Sequence, residues 1–457
     1  MNTLTQSLGI FATQPIDHPQ KEAALEIAKT GFIDTIATMF AGSSEPVVNI
    51  LEKHYAQFAS SLKEAPVPFS GEMMSSQFAA CISATSGHAL DFDDVALSGH
   101  PSTVLVPAIL AEGYLCGVSG REALEAYLVG YEVWANLISK EPDQYHIKGW
   151  HPTGVMGTVG AAAAIARIRK LDPQTASTAL SIAASMASGL VANFGSMTKP
   201  LHAGRAAANG IEAVRLAEAG LTASSDIFEH PAGFLYALSP KNLVNLSNSA
   251  KPIGEQLHIV GAGLCIKQYP VCYSGHRTID AILDLVKKHD VKLDEIKQIT
   301  ATIGKAQASM LRNHKPKTGL EAKFSLEFAV ACALLEQRVG LSELTDEFVL
   351  RPQVQAMFSK VKIEITDVSC PIEPAFSYAD RITIELVNNK QLDSGEIRFA
   401  KGNSKNPLTM EELKAKFMSC FKVFQTNAKG SQINADLLFS KLNDLNSLQS
   451  LSNLWTI

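Results

Sequence analysis

From residue 103 to about 220, apolar residues recur at helical spacing and small residues fill the positions between them. Leu105–Leu115, Glu122–Ser139, Gly154–Leu171, Gln174–Leu190 and Ala203–Gly220 read as successive helices, with Leu171-Asp172-Pro173 breaking two of them apart. Gly154, Gly157, Gly160 and the four alanines at 161–164 let backbones approach closely, so this run predicts a helix-on-helix core. Upstream, an amphipathic helix is predicted over 20–41, closed by Gly42 as a C-cap, and a second from Val47 to about Ser60. Pro66-Val-Pro-Phe-Ser-Gly71 is a loop, and helical sequence resumes near Ser76.

The character changes at about 255–275. Strand patterns follow at Ile296–Ile303, Val361–Ile365, Arg381–Leu386 and Glu396–Phe399. Helical patterns lie among them at Thr278–His289, Leu320–Gln337 and Pro352–Lys360. Strands and helices together after about 250 helical residues indicate a separate α+β domain. Thr409-Met-Glu-Glu412 is a capping box that opens a helix to about Lys422, with another at Gln432–Leu442. The tail is helical again and is free to return to the first domain.

At 457 residues the natural expectation is two domains. With 46% hydrophobic and 19% charged residues, a net charge of −5 and no basic run, the chain is a well-cored globular protein with no sign of nucleic-acid binding. Residues 1–20 lack a charged segment followed by an apolar one, so no signal peptide is expected. The longest apolar stretch, Gly154–Ile168, falls short of the roughly 20 residues of a membrane span. Seven scattered cysteines (81, 116, 265, 272, 332, 370 and 420) without CxxC spacing predict reduced thiols in a cytoplasmic setting.

The chemistry concentrates in residues 87–107. His88, Asp91, Asp93, Asp94 and His100 fall within thirteen residues, between apolar helical segments. Ionisable groups in such surroundings are costly unless paired or used. His151 stands just ahead of a helix, Lys199 and His202 in an otherwise uncharged break, and Lys267 and His276 in the mixed segment 259–276. Histidines serve as acid or base near neutral pH, and lysines hold carboxylates. No phosphate-binding loop, complete dinucleotide fingerprint or Gly-x-Ser-x-Gly elbow is present. What remains is acid/base chemistry on a small anion. A metal site built from His88, Asp91, Asp94 and His100 is the competing reading.

Gly87-His-Ala-Leu-Asp-Phe-Asp-Asp94, Gly99-His-Pro-Ser102, Gly149-Trp-His-Pro152, Met197-Thr-Lys-Pro-Leu-His202, Ala206-Ala-Ala-Asn-Gly210 and Glu321-Ala-Lys-Phe-Ser325 occur in that order. In these motifs the chain resembles the MmgE/PrpD family of 2-methylcitrate dehydratases, cis-aconitate decarboxylases and iminodisuccinate epimerases. The resemblance implies a mainly α fold: a large discontinuous all-helical domain, 1–262 and 405–457, and a smaller α+β lid domain, 263–404. It implies a homodimer and no cofactor. Carried over by motif, Asp91, His100, His151, Lys199 and His276 are the expected catalytic residues, with Lys267, His202 and Tyr273 as substrate-binding residues and no metal. Dehydratase and decarboxylase members commonly carry Asp-Thr-Trp where this chain has Asp94-Val-Ala, and Gly99–Ile109 and Asn193–Pro200 look more like the epimerase branch.

The implied reaction is that of a cofactor-independent lyase on a small di- or tricarboxylate, with dehydration ahead of decarboxylation. An epimerase of an iminodisuccinate-like dicarboxylate is the alternative, and a catalytically silent anion-binding protein is the non-enzyme one. All the reactions move a proton at a carbon next to a carboxylate or imine, and all need a cation where charge develops. Lys199 is the candidate cation.

Overall fold

The computed structural model describes residues 2–58, 62–247, 253–371, 376–427 and 433–456. The chain divides into two compact units, Met1–Cys265 with Met410–Ile457, and Ile266–Thr409. The fold is mainly α with a smaller α+β part.

The first unit is built from α1 (Leu4–Thr13), α2 (Lys21–Gly42), α3 (Pro46–Ala56), α4 (Ser76–Ala89), α5 (Pro101–Cys116), α6 (Gly120–Ile138), α7 (Pro152–Ile168), α8 (Pro173–Met186) and α9 (Thr198–Glu218). Local chemistry sets the starts. Thr3 with Gln6 and Ser119 with Glu122 form capping boxes, and Asp172 accepts from the Gln174 and Thr175 amides ahead of Pro173. Every residue of α2 from Gly31 to Gly42 and of α7 from Pro152 to Ala166 is buried, as a helix apolar on all sides requires.

Several expectations need correction. Gly42 is the last residue of α2, not a left-handed cap beyond it. A Cβ there would come within 2.1 Å of the Ser86 carbonyl, so glycine is required by the approach of α4. The predicted end at Ser60 lies outside the described residues. Helix α9 begins at Thr198 rather than 203, which places Lys199 and His202 in its first turns instead of on a break. Pro200 does not block this, because a first-turn residue has no intrahelical N–H bond to lose. Helix α8 stops at Met186. Beyond α9 the chain to residue 257 has one described helical turn, Phe234–Leu238, and another follows at His258–Ala262.

The second unit holds α10 (His276–His289), β1 (Ile296–Gly304), α11 (Leu326–Glu336), α12 (Pro352–Phe358), β2 (Val361–Thr366), β3 (Arg381–Leu386) and β4 (Gln391–Asp393). Its sheet runs β2-β1-β3-β4, with β1 and β2 parallel and the other pairs antiparallel. Ile299, Ala301 and Ile303 of β1 share one core with Ile279 and Ile282 of α10, Phe328 of α11 and Ile382 and Ile384 of β3. The helix predicted over Leu320–Gln337 is interrupted, because Ser325 caps a new helix by accepting from the Phe328 amide. The strand predicted at Glu396–Phe399 is absent apart from a bridge between Ile397 and Asp380. Gln391–Asp393 pairs with β3 instead.

The tail returns to the first unit as α13 (Met410–Asn427) and α14 (Ala435–Asn443); the predicted start at Gln432 lies outside the described residues. Phe421 of α13 lies tilted against Phe40 of α2 and Phe424 edge-on to it, with ring centroids 4.4 and 4.9 Å apart, and Phe417 meets Phe439 of α14 at 5.3 Å. Among the described residues, no helix is long and apolar enough to cross a membrane.

Candidate active site

Three helix starts and one helix end bring the chemistry together in the first unit. Helix α4 ends at Ala89, and Asp91 then takes a left-handed conformation, φ 54°, with its N–H donating to the His88 carbonyl at 3.2 Å. A non-glycine residue pays for that conformation, and aspartate is among the few that adopt it readily. Helices α5 and α7 both open with proline at the first position, which keeps the preceding residue out of the helical region. The preceding residues are His100 and His151. Neither makes the side-chain cap bond usual at that position, so both imidazoles are turned to other use.

The helix starts adjoin one another. The His100 N–H donates to Thr153 Oγ1 of α7 at 3.2 Å. His151 Nδ1 lies 3.1 Å from His202 Nδ1 of α9, so one nitrogen donates and the other accepts. Gly189 completes the corner: its carbonyl accepts from the His151 N–H at 3.0 Å, its φ is +135°, and the His202 ring packs where a Cβ would stand. The positive ends of three long helices therefore face one place.

Lys199 Nζ meets Asp91 Oδ1 at 2.5 Å, and both side chains are about nine-tenths buried. The ammonium lies 5.4 Å from the Phe194 ring centre, and Phe194 stands edge-on to His151 at 4.8 Å. The His88 ring lies 4.5 Å from His100 and 5.8 Å from His151. Burial pushes the His88 imidazole down to about 4, against the pull of Asp93. Burial, reinforced by His88 and Lys199, holds His151 well below the usual range, and burial also lowers His202. His88, His151 and His202 are therefore neutral at pH 7, beside the buried Lys199.

The three aspartates, alike in sequence, have separate partners. Asp91 takes Lys199. Asp93 Oδ2 lies 2.8 Å from His88 Nδ1 and 3.1 Å from His100 Nδ1. Burial raises Asp93, but the two imidazoles outweigh it and hold the carboxyl well below the ordinary value. Asp94 is wholly buried; burial first, then Asp34 and Asp93, push it well above the carboxylate range, so it keeps its proton. The metal set of His88, Asp91, Asp94 and His100 is thus not brought together. His88, Asp93 and His100 offer one ligand atom each within 4.8 Å of one another. Their contacts of 2.8 and 3.1 Å are hydrogen-bond distances, shorter than the roughly 3.4 Å between ligands of a tetrahedral site with 2.1 Å bonds. Turnover is expected to survive dialysis against a chelator. Loss restored by one divalent ion would instead place a metal on this trio.

His146 was not singled out by the sequence reading. It sits on the single turn Tyr145–Lys148, with its ring 6.5 Å from His151 and 6.2 Å from Phe194, and burial lowers it to about 4. Its position five residues before His151 was the available signal.

The other expected residues lie in the second unit. His276 opens α10, packed between the Tyr269 and Tyr273 rings at 5.1 and 5.0 Å. Its Nε2 is 3.2 Å from the Val271 carbonyl, which can only accept, so Nε2 is the donor there. Tyr273 Oη accepts from Asn403 Nδ2 at 2.8 Å, and Lys267 is buried.

The MmgE/PrpD N-terminal domain matches residues 10–247 and the MmgE/PrpD C-terminal domain residues 269–440. The chain belongs to the MmgE/PrpD family. It is similar to the cis-aconitate decarboxylase of Homo sapiens, 29% identical over 414 residues that cover 87% of this chain and 83% of that protein. The Mus musculus cis-aconitate decarboxylase is 28% identical over 434 residues, 91% of this chain and 86% of its own. That of Aspergillus terreus is 25% identical over 368 residues, 74% and 73% of the two chains. These relatives support a lyase of this family.

Proposed function

We propose that this protein is a cofactor-independent lyase acting on a small di- or tricarboxylate, with decarboxylation of a cis-aconitate-like substrate as its leading reaction and dehydration next. The observation that carries the reading is the meeting of three helix N-termini and the buried Lys199 among neutral histidines. Helix N-termini and an ammonium attract carboxylates, and neutral imidazoles exchange protons. The decarboxylase relatives move decarboxylation ahead of dehydration.

In a decarboxylation the C–CO₂ bond breaks and its electron pair passes into the system conjugated with a remaining carboxylate. Lys199 stabilises that charge, and a histidine that has taken up a proton from solvent delivers it to carbon. In a dehydration a neutral imidazole removes a proton from carbon, and a second, protonated side chain gives its proton to the departing hydroxide, which leaves as water. In the helical unit His100 and His151 are the candidate acid and base groups and His202 a candidate substrate holder; in the second unit His276 is carried as a candidate acid or base and Lys267 and Tyr273 as candidate holders.

The test is incubation with cis-aconitate, 2-methylcitrate, citrate and iminodisuccinate, followed by product identification. The reading expects release of CO₂ or water from one tricarboxylate. Inversion of iminodisuccinate without loss of either would make the protein an epimerase, the reading favoured by Gly99–Ile109 and Asn193–Pro200. Binding without turnover of any would make it an anion-binding protein.

A further inference from the structure

We propose that Asp93 is a positioning residue whose buried carboxylate fixes His100 as the Nδ1–H tautomer, making Nε2 the nitrogen that exchanges a proton with the substrate. This rests on the proton-transfer reading above and extends it to a residue outside the expected set.

Asp93 is wholly buried, and the same oxygen, Oδ2, faces Nδ1 of both His88 and His100 at 2.8 and 3.1 Å. An ionised carboxylate only accepts: His88, hydrogen-bonded to it, presents Nδ1–H, and the His100 Nδ1, 3.1 Å from the same oxygen, avoids setting a lone pair against the anion only by carrying its proton there, which leaves the lone pair of the neutral ring at Nε2. The two histidines are not equivalent. The side chain of His88 is 0% exposed and that of His100 12%, so His100 is the one an incoming molecule can reach. His88 ties the carboxylate from behind with a 2.8 Å hydrogen bond, whereas the His100 contact is bent out of hydrogen-bond alignment. Asp93 Oδ1 has no hydrogen-bond partner among the described residues, so the carboxylate reaches both rings through Oδ2. The surrounding charges act on the same group: Asp94 beside it, Asp34 from α2, His88 from α4 and His100 from α5, with Lys199 of α9 acting on His88.

When His100 Nε2 takes a proton, the ring becomes a cation directly against the Asp93 carboxylate. A buried carboxylate that orients a catalytic imidazole and stabilises its charged form contributes about 10²–10⁴-fold to rate where it has been removed in other enzymes. Asp93→Asn keeps the volume but replaces the anion with an amide that can donate as well as accept, so the tautomer is no longer imposed.

The experiment uses ¹⁵N-histidine-labelled full-length protein, with the His100 signals assigned by their loss in His100→Gln. Wild type is expected to show Nδ1–H and an unprotonated Nε2 at His100. Asp93→Asn is expected to lose that single tautomer and to lower kcat by about 10²–10⁴-fold with KM changed only a few-fold. A wild-type His100 protonated at Nε2 overturns the proposal whether or not the variant folds. So does an Asp93→Asn protein that keeps the tautomer or the rate. The spectra need no substrate. A wild type inert on every carboxylate, whose tautomer is nonetheless lost in Asp93→Asn, supports the tautomer assignment and overturns only the reaction reading.

Discussion

Lys416→Met is expected to destabilise the helical unit by about 3–5 kcal/mol, the cost of stranding one member of a buried ion pair. Lys416 comes from α13, in the tail, and its side chain is 2% exposed. Its ammonium lies 2.5 Å from Asp34 Oδ1 of α2, donates to the Phe92 carbonyl at 2.8 Å and sits 4.0 Å from the Phe92 ring centre. Without it, Asp34 is left in the interior beside the acidic loop that carries Asp91, Asp93 and Asp94. Burial already raises the Asp34 carboxyl, against the pull of Lys416, so the variant has an escape by protonation. A group whose folded pKa lies above its unfolded value loses its contribution as pH rises through the folded value. The loss in Tm is therefore expected to be larger at pH 8 than at pH 5.5, as thermal melts at the two values will show. Asp34→Asn added to Lys416→Met should recover much of the loss, because no charge is then stranded. Equal melts for wild type and Lys416→Met at pH 8 would show that the pair carries no such weight.

Lys199→Ala is expected to cost about 10²-fold or more in kcat, with a further loss in kcat/KM if the ammonium also holds the substrate carboxylate. The ammonium is fixed before substrate arrives by the 2.5 Å contact with Asp91 and by its place in the first turn of α9. A fixed charge in a water-poor site costs no reorganisation when charge develops, which is why its removal should show mainly in the rate. Lys199→Arg keeps the charge but spreads it over a planar fork, and it should recover only part of the rate. Steady-state kinetics on the identified substrate, with melting curves to establish folding, make the measurement. An unchanged rate in Lys199→Ala would mean that the stabilising cation is another residue.

The mainly helical fold was legible because its signal, apolar spacing over long segments, is local. The errors fall where a nonlocal contact decides. Gly42 reads as a cap but answers to Ser86 of another helix. Lys199 and His202 read as lying in a break, but α9 already begins at Thr198, with Pro200 tolerated in its first turn. The last strand was missed because Asn389, at φ 63°, makes a tight turn after β3 and the chain pairs at once. In the site, Asp91, His100, His151 and Lys199 were legible as ionisable groups at element ends. The division of labour among Asp91, Asp93 and Asp94 was not, since it depends on which of Lys199, the two imidazoles or Asp34 stands opposite each carboxyl. His146 was missed because a lone histidine on a polar turn carries no pattern of its own.

The proposed function rests on one step, a proton moved at a carbon next to a carboxylate. The most direct test is turnover of the accepted tricarboxylate in deuterated water, read by ¹H and ²H NMR. One solvent deuterium is expected on carbon in the product when CO₂ is lost, with incorporation falling in step with turnover in Lys199→Ala. Turnover with loss of CO₂ that leaves every carbon of the product free of solvent deuterium would contradict it.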